Sequence, residues 1–316
     1  MSAGEGLRIG VDLGGTKIEA VVARLHDDAP EVLVQRRVPT ERDRGYEHVL
    51  AITAGLIADV AREAGLDALP PIGVGMPGSV TTRASDGSRA PEPLVKNSNT
   101  TCLNGRPFRR ELAERVGAPI AFANDANCFA LAEAVYGAGK GARVVFGVIL
   151  GTGVGGGVVV RDRSGRAEIW EGAQSIAGEW GHVSLDPEQG VPCYCGHRGC
   201  IETVLSGPAI ERAYARRAGT PLRLPEIASR AGVDAHARAT LDEAVRTYGR
   251  ALAIVVNTLD PDAIVLGGGV SNLEILYDAG RRAVAEAVFN DELVTRIEKH
   301  AIGDSAGVIG AVLLNG

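Results

Sequence analysis

Three of the chain's five cysteines fall within eight positions: Cys193, Cys195 and Cys200, in VPCYCGHRGCIE. The spacing C-x-C-x4-C, with Gly196 and Gly199 letting the chain bend, suits thiolates that converge on one centre. In a reducing compartment such a cluster predicts structural zinc rather than disulfides. A fourth ligand is needed. His182, in GEWGH, lies upstream, whereas His197 lies between the cysteines, where reaching the same metal is strained; His182 is therefore expected. The bland alternative is three unconnected thiols, and a catalytic thiol lacks any surrounding triad pattern. Glu179 stands three residues before His182, and Glu202 two after Cys200. A metal at this node would fix both carboxylates, and carboxylates with an imidazole are suitable partners for sugar hydroxyls. Solvated acids on a surface loop are the competing reading.

A second kind of chemistry is written in glycine. IGVDLGGTKIEAVV and VILGTGVGGGVVV each read as strand, glycine turn, strand. GTGVGG formally fits G-x-G-x-x-G at Gly151, Gly153 and Gly156, but the β-branched VVV that follows predicts a strand and not the helix a dinucleotide site requires. No Walker A pattern occurs. What remains is a hairpin turn whose backbone N–H groups face phosphates. Asp12, just ahead of Gly14 and Gly15, would repel phosphates unless a cation lay between, which points to Mg2+ held directly or through water. Plain tight hairpins are the alternative. Gly267 to Gly269, after a buried strand, either hold a third part of a nucleotide or punctuate the chain. Asn124 and Asp125, in AFANDANCFA, fall where a strand gives way to a helix. They either cap that helix or, for Asp125, take the proton of an attacking hydroxyl in phosphoryl transfer.

The elements that must position these groups are those of an α/β protein. The length of 316 residues allows about two domains, and aromatics are scarce beside Ala, Val, Gly and Leu. Net charge is −6, from 33 basic and 39 acidic side chains with no basic block, which argues against nucleic acid. The opening MSAGEGLRIGVDLGG lacks the pattern of a signal peptide. Residues 144–160 are uncharged, yet six of the seventeen are glycine, so no spanning helix is expected there. The expectation is a soluble, cytoplasmic protein without a membrane or nucleic-acid partner. Strands are predicted over 7–12, 18–25 and 32–40, a helix over 46–65, a strand over 71–80 entering a Pro-Gly turn, and a long polar loop over 81–108. A helix over 107–117, a strand over 119–123 and a helix from 125 complete the first half. The glycine hairpin opens the second, followed by helices near 207–217, 224–231 and 236–258, a strand over 262–268, a helix after GGVSN and a closing helix from 306. The strand–glycine–strand echo in both halves implies two similar lobes facing a cleft.

Taken together, these motifs resemble the ROK family of bacterial sugar kinases and repressors. DLGGTK resembles its first phosphate motif, GTGVGGG its second, NDAN its catalytic aspartate motif, GEWGH its E-x-G-H signature and CYCGHRGCIE its zinc motif, in the expected order from Leu7 onward. The resemblance implies an actin/hexokinase-like (ribonuclease H-like) duplicated two-lobe α/β fold with an interlobe cleft. One lobe would be 1–123, completed by a C-terminal helix near 304–316; the other would be 124–303, with its zinc-binding loop at 182–200. It implies that Asp125 is the catalytic base and that Gly78, Asn99, Asn124, Glu179, His182 and Glu202 bind the sugar with it. His182 would share the zinc with Cys193, Cys195 and Cys200. Around the ATP phosphates it places Gly10, Val11, Asp12, Leu13, Gly14, Gly15, Thr16 and Lys17. From the second half it adds Gly151, Thr152, Gly153, Val154, Gly155, Gly156, Gly157 and Val158, with Gly268 and Gly269. ATP, Mg2+ and structural Zn2+ are the implied cofactors, a hexose the substrate and a homodimer the assembly. The first phosphate motif begins about ten residues in, so the N-terminal helix-turn-helix of the family's repressors does not fit.

Within the family the likeness is greatest to bacterial fructokinases, also called manno(fructo)kinases, through VKNSNTTCLNGRPF, VPCYCGHRGCIET and LDPDAIVLGGGVSN. N-acetylglucosamine kinases share NDANCFAL and GTGVGGG, but carry a small, apolar stretch where this chain has Asn97, Ser98, Asn99, Thr100 and Thr101. Such groups penalise a ligand that cannot pair them. The expectation is an ATP-dependent kinase acting on the 6-hydroxyl of fructose, with mannose or glucose as further substrates. N-acetylglucosamine kinase or glucokinase is the alternative. A non-catalytic sugar-sensing regulator, or an ATPase or chaperone on the same fold, belongs to a different class.

Overall fold

The computed structural model describes residues 6–83 and 86–315. The first five residues of the stretch read above for a signal peptide, Ala84 and Ser85 of the expected loop, and Gly316 lie outside the described residues. In chain order the elements of the first half are β1 (Leu7–Leu13), β2 (Lys17–Arg24), β3 (Glu31–Pro39), α1 (Tyr46–Glu63), β4 (Ile72–Met76), β5 (Ser79–Arg83), β6 (Arg89–Lys96), α2 (Phe108–Val116), β7 (Ile120–Asn124) and α3 (Asp125–Val135). There follow β8 (Val144–Leu150), β9 (Val154–Arg161), β10 (Ala167–Ile169), α4 (Glu202–Leu205), α5 (Gly207–Ala218), α6 (Leu224–Arg230), α7 (Ala235–Leu259), β11 (Ala263–Gly267), α8 (Ala279–Ala287), β12 (Arg296–Lys299) and α9 (Ala306–Leu313).

The chain packs as two compact units. The first runs to Ala132 and includes Glu171–Ile176 and the residues from Ile302 on; the second is Glu133–Trp170 with Ala177–Ala301. The chain thus passes from one to the other inside α3, beyond the 123/124 boundary expected from sequence, and Asn124 and Asp125 fall in unit 1. The reason lies in packing. A Cβ on Gly310 of α9 would stand 1.8 Å from the Cys128 carbonyl oxygen, so α3 and α9 touch backbone to backbone.

Both units use one sheet plan. In unit 1 the order is β3-β2-β1-β4-β7, with β1, β2 and β3 antiparallel and β4 and β7 parallel to β1. In unit 2 it is β10-β9-β8-β11-β12, again three antiparallel strands followed by two parallel ones. The central strands are apolar because both faces are covered: every residue of β4 and of β11 is buried. α9 covers β1 and β4 at very close range, since a Cβ on Gly10 would lie 2.5 Å from the Val308 carbonyl and one on Gly73 1.9 Å from that of Ala311. In unit 2, α7 starts at Asp234, whose carboxylate accepts from the His236 and Ala237 N–H groups, and it buries Tyr248 and Leu252 completely. Each such side chain contributes about 1.5–3 kcal/mol of burial.

Three expectations need correction. The polar stretch after the Pro-Gly turn is not all loop: β5 and β6 pair as a two-stranded antiparallel ribbon. β10 and β12 are short edge strands with no clear signal in sequence. The helix after GGVSN is preceded by two 3-10 turns and begins only at Ala279. No described helix is long and apolar enough to cross a membrane.

Candidate active site

In unit 1 the first glycine motif is a tight connection between β1 and β2. Gly14 N–H donates to the Lys17 carbonyl (3.0 Å), and Thr40 braces the turn twice, its hydroxyl donating to Gly14 O (2.7 Å) and its N–H to Thr16 O (2.9 Å). Val11 and Leu13 bury their side chains in the core, and Gly10 is bare to admit α9. Asp12, the backbone from Gly14 to Lys17 and the exposed Thr16 and Lys17 side chains are therefore on offer to a ligand. Lys17 leans toward Glu19, at 3.9 Å.

Asp12 is held at the end of β1. Burial first, then repulsion from Asp125 and Glu19, push its carboxyl up to about 7, with Lys17 pulling the other way. Carboxylates that resist joint ionisation, with hard oxygen donors, fit a divalent cation such as Mg2+.

Asn124 and Asp125 sit where β7 runs into α3. Both Oδ1 atoms accept from the Ala126 N–H, each at 2.8 Å, so the capping role foreseen from sequence is present. Asn124 Nδ2 also donates to Gly78 O at 3.0 Å. Gly78 has φ 93°, and a Cβ there would meet Lys96 O at 2.6 Å, so only glycine serves. The second oxygen of Asp125 makes no hydrogen bond among the described residues. Burial raises the Asp125 pKa against the hydrogen bond from Ala126.

Within the Asn97–Thr101 segment, Ser98 is tied to Asn104 and to Thr100. Ser98 N–H donates to Asn104 Oδ1 (2.9 Å), Asn104 Nδ2 to Ser98 O (3.0 Å) and Thr100 N–H to Ser98 Oγ (3.1 Å). This weakens the inference that the segment rejects an acetylated sugar. Asn99 is exposed, and the buried Thr100 hydroxyl has no hydrogen-bond partner among the described residues.

In unit 2, His182, Cys193, Cys195 and Cys200 place one ligand atom each within 4.8 Å of one another. Cys193 Sγ is 3.6 Å from His182 Nδ1, and Cys195 Sγ is 3.6 Å from Cys200 Sγ. Such edges match a tetrahedron with Zn–S near 2.3 Å and Zn–N near 2.0–2.1 Å, so the donor set fits zinc. His197 is exposed and reaches Cys195 only, at 3.7 Å. The loop is shaped by turns at Gly196 and Gly199, both at positive φ, and by bridges from Ser184 to Cys200 and from Pro192 to Arg198. Tyr194, which sequence reasoning passed over, bonds His182 Nε2 through its hydroxyl at 3.0 Å. A partner on the second ring nitrogen fixes the orientation of a metal-binding imidazole.

GEWGH is seated on β9. Buried Trp180 donates to Gly155 O at 2.9 Å and meets Phe146 edge to face. A Cβ on Gly156 would lie 2.7 Å from Trp180 Cδ1, and one on Gly181 2.0 Å from Val154 O. Gly156 is therefore bare to admit this segment, not a phosphate, while Gly157 and Val158 lie buried in the same strand.

The second glycine turn closes through Gly151 N–H to Gly153 O at 2.9 Å. Glu202 accepts the Val154 N–H at 3.0 Å, and a Cβ on Gly153 would stand 2.7 Å from its Oε2. That N–H is committed to the acid and is not offered to a phosphate; Thr152 at the tip is exposed. Two further glycines adjoin the turn. Gly207, also missed from sequence, donates to Gly151 O at 2.8 Å. Gly268, at φ 82°, packs where a Cβ would be 2.5 Å from Leu150 O, with Gly269 opening the next turn. Glu179 precedes the one-turn helix that carries His182 and accepts its N–H through the backbone, at 3.2 Å.

The sequence pattern of the ROK family matches residues 8–315. An N-acetyl-D-glucosamine kinase of Photobacterium profundum is 35% identical over 316 residues, covering 97% of this chain and 98% of that one. A ROK hexokinase of Thermus thermophilus is 33% identical with a TM-score of 0.79, over 98% of this chain and 97% of that one. A ROK family glucokinase of Streptomyces griseus, solved with glucose and AMPPNP, is 29% identical with a TM-score of 0.77, over 98% and 99%.

Proposed function

The chain belongs to the ROK family of sugar kinases, with its actin/hexokinase-like α/β fold, and we propose that it transfers the γ-phosphoryl group of ATP to the 6-hydroxyl of a hexose. The observation that carries this reading is Asp125. One of its oxygens caps α3, the other makes no hydrogen bond among the described residues, and its proton affinity is raised by burial beside the acid of the first glycine turn. In the proposed step the sugar oxygen bonds to the γ-phosphorus, the bond to the β–γ bridging oxygen breaks with its electron pair leaving on ADP, and the hydroxyl proton passes to Asp125. Mg2+, for which Asp12 is the candidate holder, supplies charge neutralisation on the phosphates. Zn2+, held by His182 and the cysteine set, would supply a fixed node from which Glu179, His182 and Glu202 could be presented to the sugar.

N-acetylglucosamine is the first substrate to test, because relatives at this identity are N-acetylglucosamine kinases and because Ser98 and Asn104 satisfy one another. Fructose is the second reading, favoured by the Asn99 amide and the unpartnered Thr100 hydroxyl. ADP release measured with N-acetylglucosamine, glucose, mannose and fructose separates them through the ratio of kcat/KM values. Turnover of none of the four would reject the kinase reading.

A further inference from the structure

The face of the first glycine turn is roofed by polar atoms that no motif accounts for. A Cβ on Gly15 would lie 3.3 Å from Arg42 Nη1, 3.5 Å from Asn99 Oδ1 and 3.8 Å from Thr100 Oγ1. Arg42 comes from the turn between β3 and α1, and its Nη1 also donates to the Asn99 carbonyl at 3.0 Å. It makes no ion pair among the described residues. The neighbouring Glu41 carboxylate is spent on Arg44 (2.8 Å) and His48 (3.0 Å). Thr100 Oγ1, in a residue with no exposed surface, has no hydrogen-bond partner among the described residues. An uncompensated guanidinium and an unsatisfied buried hydroxyl thus converge on a bare glycine. That arrangement favours a small anion with several acceptor oxygens.

We propose that Arg42 is the cation that receives the transferring phosphoryl group at the first glycine turn, pinned in place through the Asn99 carbonyl. The inference rests on the kinase reading. It adds a residue from outside every motif of the chain and a physical link between the phosphate turn and the Asn97–Thr101 segment. The remaining N–H donors of the guanidinium meet non-bridging phosphoryl oxygens as charge shifts toward the leaving ADP, while the proton still goes to Asp125. A preorganised cation there stabilises the transition state more than the ground state.

The test compares Arg42→Ala and Arg42→Lys with the unaltered protein, after thermal melting has shown that both variants fold. Removal of a preorganised donor predicts a fall in kcat of about 100-fold or more for Arg42→Ala, with part recovered in Arg42→Lys. Guanidinium ion at millimolar concentration should rescue Arg42→Ala and leave the unaltered protein unmoved, a response that a purely structural role would not give. A kcat and a KM for ATP within about twofold of the unaltered protein, or a loss confined to the KM of the sugar, would overturn the proposal. Binding of AMPPNP with Mg2+, followed by calorimetry without sugar, keeps the two readings separable. If the unaltered protein phosphorylates no hexose but Arg42→Ala weakens this binding about tenfold or more, the kinase reading falls and the anion role of Arg42 stands. Equal binding in a protein without sugar turnover overturns the role of Arg42.

Discussion

The first glycine turn is held by the Thr40 hydroxyl and backbone, with the Arg42 guanidinium over its open face. The second is held by a carboxylate, Glu202, and by further backbone from Gly207 and Gly268. The strings DLGGTK and GTGVGG invite one interpretation, yet their glycines are bare for different reasons. Gly15 faces the Arg42 guanidinium, the exposed Asn99 amide and the Thr100 hydroxyl, the last without a hydrogen-bond partner among the described residues. Gly153, Gly156 and Gly268 face protein that has filled the room. In unit 1 the acids Asp12 and Asp125 keep raised proton affinities, whereas unit 2 fixes its side chains with a cluster of cysteines and an imidazole and with close backbone contacts. Unit 1 is poised in charge, and unit 2 is set in shape.

The most severe test of that contrast is Asp125→Asn. It should leave the melting temperature unchanged or slightly higher and lower kcat by about a thousandfold, as loss of a general base does; retained turnover would move the chemistry elsewhere. Next comes Cys195→Ser, or chelation, in unit 2. Zinc content should fall to a background level and the KM for the sugar should rise about 10–100-fold, with kcat less affected. An unchanged KM after verified metal loss would break the idea that the node shapes the sugar contacts.

Smaller effects sharpen the contrast further. Gly156→Ala forces a methyl against Trp180 and Phe146 and should destabilise by about 1–3 kcal/mol in denaturant unfolding. Gly151→Ala, with nothing within 4 Å of the added carbon, should cost the fold little. Equal losses would mean that the second turn is not clamped as described. The smallest effect concerns Asp12, whose carboxyl rises from an ordinary 3.8 to about 7 on folding. The folded chain then binds more protons than the unfolded one between those values. The stability this group contributes is full below about pH 4 and lost as pH rises through about 7. A divalent cation that takes the proton's place should reverse the loss. Mg2+ is expected to raise the melting temperature more at pH 8 than at pH 5, and an equal rise at both would remove Asp12 from the cation site.

Much of this was legible because the groups are close in sequence or repeat a pattern. The thiolate spacing of Cys193, Cys195 and Cys200, with His182 as the fourth ligand, matches the cluster in the structure. The strand–turn–strand strings matched β1–β2 and β8–β9. What failed were features fixed by distant partners. β6 carries Pro91 and Pro93, which argue against a strand in a central sheet, yet a two-stranded ribbon leaves an edge on which a missing N–H is tolerated. The preference for fructose leaned on Asn97 to Thr101, and the tie of the Ser98 backbone to the Asn104 amide could not be foreseen from their order. Arg42 lies outside every motif and is brought to Gly15 by the β3–α1 connection; Tyr194 lies inside the cysteine motif, but its bond to His182 depends on the folding-back of that loop.

The glycines of β1 and β4 admit α9 to within touching distance of the sheet, and that helix is translated long after the strands it covers. A nascent chain must therefore carry a notched, apolar sheet face through the synthesis of all of unit 2 before the matching piece arrives. Ribosome-bound intermediates should be most prone to chaperone capture and to sticking together during that interval, and a version of the gene rearranged to encode α9 ahead of β1 would shorten it.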